Sequence, residues 1–319
     1  MKPTNNQEKK VIDIFKEAEK TIYSLEFFPP DHGESLDSIL NTIEVLNEKF
    51  GISFVSVTCG ALGSCRGGTI PLAGLIQRKF DLPAVAHFIA AGRSKQTIES
   101  LCIDMHYEGL RNILALRGDP RKGDKVFVPH PEGHCYSSGL VEQLMKMNRG
   151  IYLPRKEGEE FHQGLPTDFC LSVAGYPECH PECLDAPKDL EHLKMKIDAG
   201  ADYIMCQMVF DANIYENFVA RARRAGIMVP VIPGIYPFRR SGEVNWVASR
   251  KEAINVSLPA DFLKEIEKYQ AANDKVGVEN TCVELIAGLC KDLIKVGAPG
   301  LHFYTMNRPE STAKILERL

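Results

Sequence analysis

Residues 84–117 read AVAHFIAAGRSKQTIESLCIDMHYEGLRNILALR. This stretch shows the pattern of strand-like and helix-like segments that recurs along the sequence and indicates the fold. The apolar runs Ala84–Ala90 and Asn112–Arg117 are typical of strands that are covered on both faces. Between them, Ser94–Glu108 has a helical pattern that opens with a serine cap. A strand, a helix and a second strand in this order predict a parallel β–α–β unit.

The same alternation of strand-like and helix-like segments recurs along the chain. The other strand-like runs are Thr21–Phe28, Phe54–Gly60, Phe169–Tyr176, Tyr203–Phe210, Met228–Ile235 and Leu301–Met306. The other helical patterns are Ser35–Phe50, Asp189–Gly200, Asn213–Gly226, Asp261–Ala272 and Glu279–Val296, of which the last two precede the final strand. Eight parallel strands alternating with helices predict an α/β protein built as a single (β/α)8 TIM barrel, with extra helices before the last strand.

The main alternative is an open, doubly wound sheet. Such a sheet normally has a Gly-x-Gly-x-x-Gly phosphate turn after its first strand, and the sequence has no such turn. We therefore predict one barrel domain over residues 1–319, with an N-terminal helix at residues 1–20. The polar stretch Tyr152–Gly164 predicts a surface insertion at residues 150–166.

Composition excludes several classes of protein. The 319 residues include 38 Lys and Arg against 42 Asp and Glu, a net charge of −4, which argues against binding nucleic acid through its phosphates. No run approaches the roughly 20 apolar residues of a membrane span, and the charged N-terminus lacks a signal core. The ten cysteines are scattered without a Cys-x-x-Cys pair. We therefore expect a cytoplasmic protein with reduced thiols.

Glu26, on the first predicted strand, is the first candidate catalytic residue. In a barrel, the carboxyl ends of all strands meet at one mouth, where chemistry takes place. Glu26 lies between Leu25 and Phe27, and burial there predicts a raised pKa and a general acid that works near neutral pH. The alternative is a glutamate held in an internal ion pair or exposed at a strand edge.

The turn Arg117-Gly118-Asp119 after the fourth strand is the most site-like local pattern. Arg117 could hold a phosphate, Gly118 would let a ring approach the backbone, and Asp119 could accept from a polar heterocycle. An Arg–Asp pair that closes a turn is the alternative. Further polar residues at the strand ends are Thr58, His87, Gln207 and Arg308. By themselves, Thr58 is typical of a turn and His87 of a core residue.

The loop after the fifth strand carries Cys179, His180 and Cys183. Because two of these residues are adjacent and a fourth ligand is not obvious, we predict no zinc site and no other metal. The predicted mouth also lacks a nucleophile with its base. This profile favours an organic cofactor that supplies the difficult chemistry.

Eight segments together resemble one known family. They are SLEFFPP, FVSVTCGA, AHFIAAGRS, ILALRGDP, SVAGYPECHPE, CQMVFD, VIPGIYP and HFYTMNR, in family order from Glu26 to Arg308. Each is weak alone, but the ordered set is specific and spans nearly the whole chain. The sequence resembles methylenetetrahydrofolate reductase of the bacterial type that consists of the catalytic domain only.

The resemblance implies a barrel that binds FAD at its mouth and uses NADH or NADPH to reduce 5,10-methylenetetrahydrofolate. Glu26 would be the general acid, and Asp119 would act beside the flavin. The positions that would bind FAD are Thr58, His87, Arg117, Gly118, Asp119, Tyr176, His180, Asp189 and Lys196. The positions that would bind folate are Glu26, Asp119, Gln207 and Arg308.

The electron donor is the least defined of the implied properties. Residues 261–273, which in relatives help to bind nicotinamide, align poorly here, and Met195 stands where some relatives have a basic residue near the FAD phosphates. The resemblance is also compatible with a homo-oligomer and with a partner subunit for electron transfer. Two alternatives stay open: a flavin- or folate-binding subunit of a larger electron-transfer complex, and a flavin-free pterin-binding barrel.

Overall fold

Eight parallel strands form a closed barrel in the computed structural model, which describes residues 8–30, 35–59, 67–120 and 126–319. The barrel strands are β1 (Ile22–Phe27), β2 (Phe54–Val57), β3 (Ala84–Ile89), β4 (Asn112–Leu116), β7 (Cys170–Gly175), β8 (Tyr203–Met208), β9 (Val231–Ile235) and β10 (Gly300–Tyr304), and the short strands β5 (Ile151–Tyr152) and β6 (His162–Gln163) pair apart from it. Around the barrel the order is β1-β10-β9-β8-β7-β4-β3-β2. The predicted (β/α)8 barrel is confirmed.

Helices cover the outside of the barrel and connect its strands. They are α1 (Val11–Glu17), α2 (Asp37–Phe50), α3 (Thr69–Phe80), α4 (Lys95–Tyr107), α5 (Ser137–Met147), α6 (Ala186–Asp198), α7 (Ala212–Arg224), α8 (Ser241–Ala248), α9 (Lys251–Ile254), α10 (Ala260–Ala271), α11 (Lys275–Lys295) and α12 (Glu310–Leu316). Helices α8 to α11 lie between β9 and β10, as the prediction of extra helices before the last strand requires. Within the described ranges, no helix is both long and apolar enough to cross a bilayer.

The predicted boundaries differ from the observed ones where local chemistry decides. The segment Met228–Ile235 becomes a strand only from Val231, because Pro230 has no N–H to give to a ladder. Helix α6 begins before the predicted Asp189, since the Asp185 side chain accepts a hydrogen bond from the Lys188 N–H and caps it. Gly60, the last residue of the second predicted strand, lies outside the described residues, as do residues 1–7.

Apolar side chains and helix α1 fill the amino-terminal end of the barrel. The N–H of Val11 donates to Oδ1 of Asn112 at 2.8 Å, and the rings of Phe15 and Tyr203 lie 5.6 Å apart. The cluster packed there consists of Val11, Ile22, Phe54, Val85, Leu114, Cys170, Tyr203, Met205 and Ile232. Because this end is filled, the opposite end is where the barrel offers polar groups to a ligand.

The stretch predicted as a surface insertion forms a small antiparallel hairpin outside the barrel. Its strands β5 and β6 pair Ile151 with Gln163 and Tyr152 with His162. The buried carboxylate of Glu99 on α4 accepts a hydrogen bond from the N–H of Leu153 at 2.7 Å. This contact fastens the hairpin to the outer helical layer.

Candidate active site

Polar side chains gather at the carboxyl ends of β1, β2, β3 and β10. Alternate residues of a barrel strand point inward, so one strand can contribute polar groups at two successive levels. The strand register aligns Glu26 with Ser56 on one side and with Tyr304 on the other. Closure of the barrel between β1 and β10 therefore brings residues from the two ends of the chain into one cluster.

Glu26 is buried, with 8% of its surface exposed, and it has three polar neighbours. Its Oε2 lies 3.3 Å from Nε2 of His87 and 3.5 Å from Nε2 of His302. The hydroxyl of Ser56 donates to the same oxygen at 3.4 Å. The sequence left open whether Glu26 is a general acid, part of an internal ion pair or exposed at a strand edge. The structure places its carboxylate in an internal polar cluster at the mouth, so it is not exposed at an edge.

His302 extends this cluster toward the barrel interior. Its Nδ1 lies 2.8 Å from the Ser24 hydroxyl, and its Nε2 lies 3.2 Å from that of Ser56. The sequence analysis did not single out these three residues. The signal that could have found them is the same as for Glu26: a polar residue at an alternate position of an apolar strand.

The expectation of a raised pKa for Glu26 is wrong. Burial is the largest influence and acts to raise this pKa, but hydrogen bonds from His302 and Ser56 and the electrostatic interactions with the two imidazoles of His87 and His302 outweigh it. The pKa of Glu26 therefore lies below its usual value. For His87, burial is again the largest influence and lowers the pKa to about 4, although the Glu26 carboxylate opposes this shift.

The Arg117-Gly118-Asp119 turn lies at the end of β4 beside the loop after β7. Nη1 and Nη2 of Arg117 donate to the two carboxylate oxygens of Glu182 at 2.7 and 2.6 Å, and the ring of Phe127 lies 4.5 Å from the guanidinium. The partner of Arg117 is thus Glu182 rather than Asp119. Asp119 is exposed at the mouth, yet its surroundings raise its pKa by desolvation, against the charge of Arg117 and with the help of Glu182.

Gly118 has a backbone conformation that needs glycine. Its φ is +94°, in the left-handed region, and a Cβ there would lie 2.7 Å from Cβ of Ala91. The backbone of Gly118 thus lies close to Ala91, in the connection between β3 and α4. A side chain at this position would need both a strained conformation and a shift of the neighbouring loop.

The loop between β7 and α6 contains two further predicted residues, Tyr176 and His180, and helix α6 contains two more, Asp189 and Lys196. The ring of Tyr176 contacts the ring of His180 edge-on at 4.6 Å, and the backbone of His180 donates to the Asp189 carboxylate. Lys196 donates to the carbonyl of Ala174 at 2.7 Å. Burial lowers the pKa of Lys196 to about 8, and the charge of Asp189 opposes this shift.

The predicted folate-binding residues Gln207 and Arg308 lie on other parts of the rim. Gln207 is near the end of β8, and its Oε1 accepts a hydrogen bond from the N–H of Met208 at 2.9 Å. Arg308 is exposed after β10. Asn307 precedes it in a left-handed conformation and exchanges two hydrogen bonds of 2.9 Å with the backbone of Phe28. Asn307, which the sequence analysis missed, thus joins the connections after β1 and β10.

The chemistry of these residues fits a flavin nucleotide. The pyrophosphate of such a cofactor needs cations; Arg117 follows β4, and Lys196, on helix α6, reaches the neighbouring strand β7 at Ala174. Arg117 already holds Glu182, whereas Lys196 uses one of its three donors on Ala174. Nε2 of His87 is buried and makes no well-aligned hydrogen bond within the described ranges, so a polar ring edge could pair with it.

The fold and this mouth define a (β/α)8-barrel protein with a buried acid–imidazole cluster beside a loop suited to an anionic cofactor. The family model described as methylenetetrahydrofolate reductase matches residues 10–319. The 5,10-methylenetetrahydrofolate reductase of Escherichia coli is 32% identical, with 93% of this chain and 90% of that protein covered. The chain belongs to the methylenetetrahydrofolate reductase family.

Eukaryotic relatives are longer than the present chain. Methylenetetrahydrofolate reductase 1 of Schizosaccharomyces pombe is 34% identical over 94% of this chain, but the match covers 46% of that protein. The chain spans about half the length of the fungal and plant relatives it matches.

A solved structure supports the fold. An uncharacterized protein from Clostridium thermocellum, described as binding two copies of 5-methyl-5,6,7,8-tetrahydrofolic acid, superposes with a TM-score of 0.59 and 96% of each chain covered. The two sequences are 12% identical, so this likeness concerns the architecture alone.

Proposed function

We propose that the protein reduces 5,10-methylenetetrahydrofolate to 5-methyltetrahydrofolate with NADH or NADPH, through FAD bound at the mouth of the barrel. The observation that carries this proposal is the position of Glu26, a buried acid beside His302 and His87 at the end of the barrel where Arg117 and Lys196 also lie. Membership of the family supports the same reaction.

The residues that would hold the cofactor come from four neighbouring strands, β2, β3, β4 and β7, and from the segments that follow them. Bound there, FAD would supply hydride transfer in two half-reactions, accepting a hydride from the nicotinamide and giving it to the folate. Lys196, with Arg117, would bind the pyrophosphate, and Gly118 would let the ring system lie on the backbone. The other residues proposed to contact FAD are Thr58, His87, Asp119, Tyr176, His180 and Asp189.

Glu26 would give a proton to the folate. Protonation of N10 opens the five-membered ring, and the methylene carbon on N5 becomes an iminium that can accept hydride. Since the pKa of Glu26 lies below its usual value, the carboxylate must first take up a proton at neutral pH. His302, 3.5 Å away and held by the Ser24 and Ser56 hydroxyls, is placed to share that proton. We therefore assign the acid function to the Glu26–His302 pair.

Three more residues would orient the folate. The amide of Gln207 can pair with the polar edge of the pterin, which carries both donors and acceptors. Arg308 can bind a carboxylate of the glutamate tail. Asp119, whose pKa is raised at the mouth, would accept a hydrogen bond from the pterin and influence the charge next to the flavin.

Two other functions make different predictions. A subunit that binds flavin or folate within a larger electron-transfer complex would contain FAD but would not be reduced by NADH or NADPH alone. A flavin-free pterin-binding barrel would be colourless. The Glu26–His302 cluster favours the reductase, because neither alternative needs a proton donor at that place.

An anaerobic visible spectrum of the purified protein, supplied with FAD, tests the proposal. We expect a flavin spectrum that bleaches on addition of NADH or NADPH and returns when 5,10-methylenetetrahydrofolate is added. Comparing the two nicotinamides identifies the donor. Failure to take up flavin, or flavin that neither nicotinamide reduces, would contradict the proposal and favour one of the two alternatives.

A further inference from the structure

The strand that carries Gln207 contains an irregularity next to that residue. Between β8 and β9, Met205 pairs with Ile232, but Met208 rather than Gln207 pairs with Gly234. Three steps along β8 therefore correspond to two along β9, which places an extra residue in β8. Such bulges re-aim side chains and are frequent next to functional sites.

Tyr304 of β10 reaches this irregularity from the other side of β9. Its phenol hydroxyl donates to the carbonyl of Cys206, the residue before Gln207, at 3.0 Å. The barrel order places β9 between β10 and β8, so the side chain crosses one whole strand. Tyr304 therefore binds the backbone of the segment that holds Gln207, while its own strand pairs it with Glu26.

Gly234 leaves the space for this crossing. A Cβ on Gly234 would lie 2.4 Å from the Tyr304 hydroxyl oxygen and 2.8 Å from the Cys206 carbonyl oxygen. Any side chain on this residue of β9 would thus collide with both ends of the hydrogen bond. The hydrogen bond from Tyr304 to Cys206 therefore requires a glycine at residue 234.

The amide of Gln207 is oriented by the same segment. Its Oε1 accepts from the N–H of Met208, so its carbonyl end is turned toward its own backbone. The opposite end of the amide, the NH2 group, is then the end that can donate to a ligand. The direction of this group depends on the backbone that the Tyr304 hydroxyl holds through Cys206.

We propose that Tyr304 is a positioning residue for folate: by binding the Cys206 carbonyl across Gly234, it fixes the bulge that presents the Gln207 amide to the pterin. This inference rests on the proposed function, because it assumes that Gln207 binds folate. Tyr304 itself contacts no reacting atom in this role.

The variant Tyr304→Phe removes only the hydroxyl and keeps the ring in the barrel. The matched control is Tyr215→Phe, since the buried Tyr215 hydroxyl on helix α7 also donates to a backbone carbonyl at 2.8 Å, but to that of Val231, the first residue of β9. The measurement is the Kd for 5-methyltetrahydrofolate by calorimetry on FAD-saturated protein. We expect Kd to rise about 5- to 10-fold in Tyr304→Phe and to stay at the wild-type value in Tyr215→Phe.

A double-mutant cycle with Gln207→Ala separates positioning from a general structural role. We expect Tyr304→Phe to have no further effect on Kd once Gln207 is alanine, because it acts through that amide. Equal weakening in both backgrounds, or no weakening by Tyr304→Phe in a protein that binds folate, overturns the proposal and leaves the proposed function intact. A wild-type protein that binds no folate overturns both.

Discussion

Oε2 of Glu26 lies 3.5 Å from Nε2 of His302, although the two residues are on the first and last strands of the barrel. The contact exists because the sheet closes between β1 and β10, which places Glu26 opposite Tyr304 and beside the inward ring of His302. In the protein interior, a carboxyl and an imidazole at this distance share a proton more readily than the same two groups do in water. The chemistry of the mouth thus depends on the closure of the barrel.

Replacement of Glu26 by glutamine tests the proton donor. Glu26→Gln keeps the size of the side chain but cannot give a proton, so we expect the folate half-reaction to slow by about 10²–10⁴-fold. Reduction of the flavin by the nicotinamide should change little, because that step needs no acid at this place. Stopped-flow measurement of each half-reaction separates the two.

The control for this variant is Glu19→Gln, at an exposed glutamate before β1. It should behave as wild type in both half-reactions. Near-normal folate turnover in Glu26→Gln would show that the proton comes from elsewhere.

Replacement of His302 by glutamine should shift the pH dependence of folate reduction. His302 holds the pKa of Glu26 down through a hydrogen bond and an electrostatic interaction, so the loss of His302 raises that pKa. Activity that needs protonated Glu26 falls as pH rises through this pKa. The falling limb of the pH–rate profile should therefore move to higher pH in His302→Gln, with a lower maximum. A limb that stays in place, or moves to lower pH, contradicts the pairing.

The buried imidazole of His87 predicts how stability depends on pH. Its pKa falls from 6.5 to about 4 on folding, so between these values the unfolded chain binds a proton that the folded protein does not. Stability is therefore lost as pH falls through this window, by up to about 3 kcal/mol from this group. We expect His87→Asn to flatten the loss, measured by urea unfolding at pH 7, 5.5 and 4.5.

His192→Asn is the matched control for this measurement, because His192 is exposed on helix α6. The change in the free energy of unfolding between pH 7 and pH 4.5 should be the same in this variant as in wild type. An unchanged slope in His87→Asn would mean that the imidazole of His87 takes up its proton equally in both states.

Alanine substitutions at two glycines with similar backbone conformations distinguish the cost of backbone strain from the cost of a steric clash. Gly118 and Gly92 have φ of +94° and +71°, but a Cβ would meet Ala91 at 2.7 Å only at Gly118, while nothing lies within 4 Å at Gly92. We expect Gly92→Ala to cost about 1 kcal/mol from its left-handed backbone, and Gly118→Ala about 3 kcal/mol because overpacking adds to that strain. Urea unfolding at pH 7 gives both values, and equal losses would contradict the close approach.

The barrel could be predicted because the sequence of each strand indicates by itself that the segment forms a buried strand. Strands such as Ala84–Ile89 are buried on both faces, so their sequences are nearly all apolar, and this signal does not depend on distant residues. Helices α3, α5, α8, α9 and α12 were not predicted. The site was predictable only as a set of polar residues at strand ends, because sequence position does not say which pairs touch.

The contacts of Arg117 illustrate what could not be predicted. Its sequence neighbour Asp119 is the obvious partner, but the guanidinium binds Glu182 from the loop after the next strand of the barrel. His302 was missed for a related reason: its role comes from contact with Glu26, at the other end of the chain. In both cases the decisive neighbour is brought close only by the barrel.

The sequence by itself determined the order of strands and helices, the barrel, the family and the set of polar residues at the mouth. These properties follow from apolar periodicity and short motifs, which depend only on residues that are close in sequence. The tertiary structure alone decided the direction of the Glu26 pKa shift and the reach of Tyr304 to Cys206 across Gly234. The physical reason is that electrostatic and hydrogen-bond energies fall steeply with distance, and those distances are set by how the strands close.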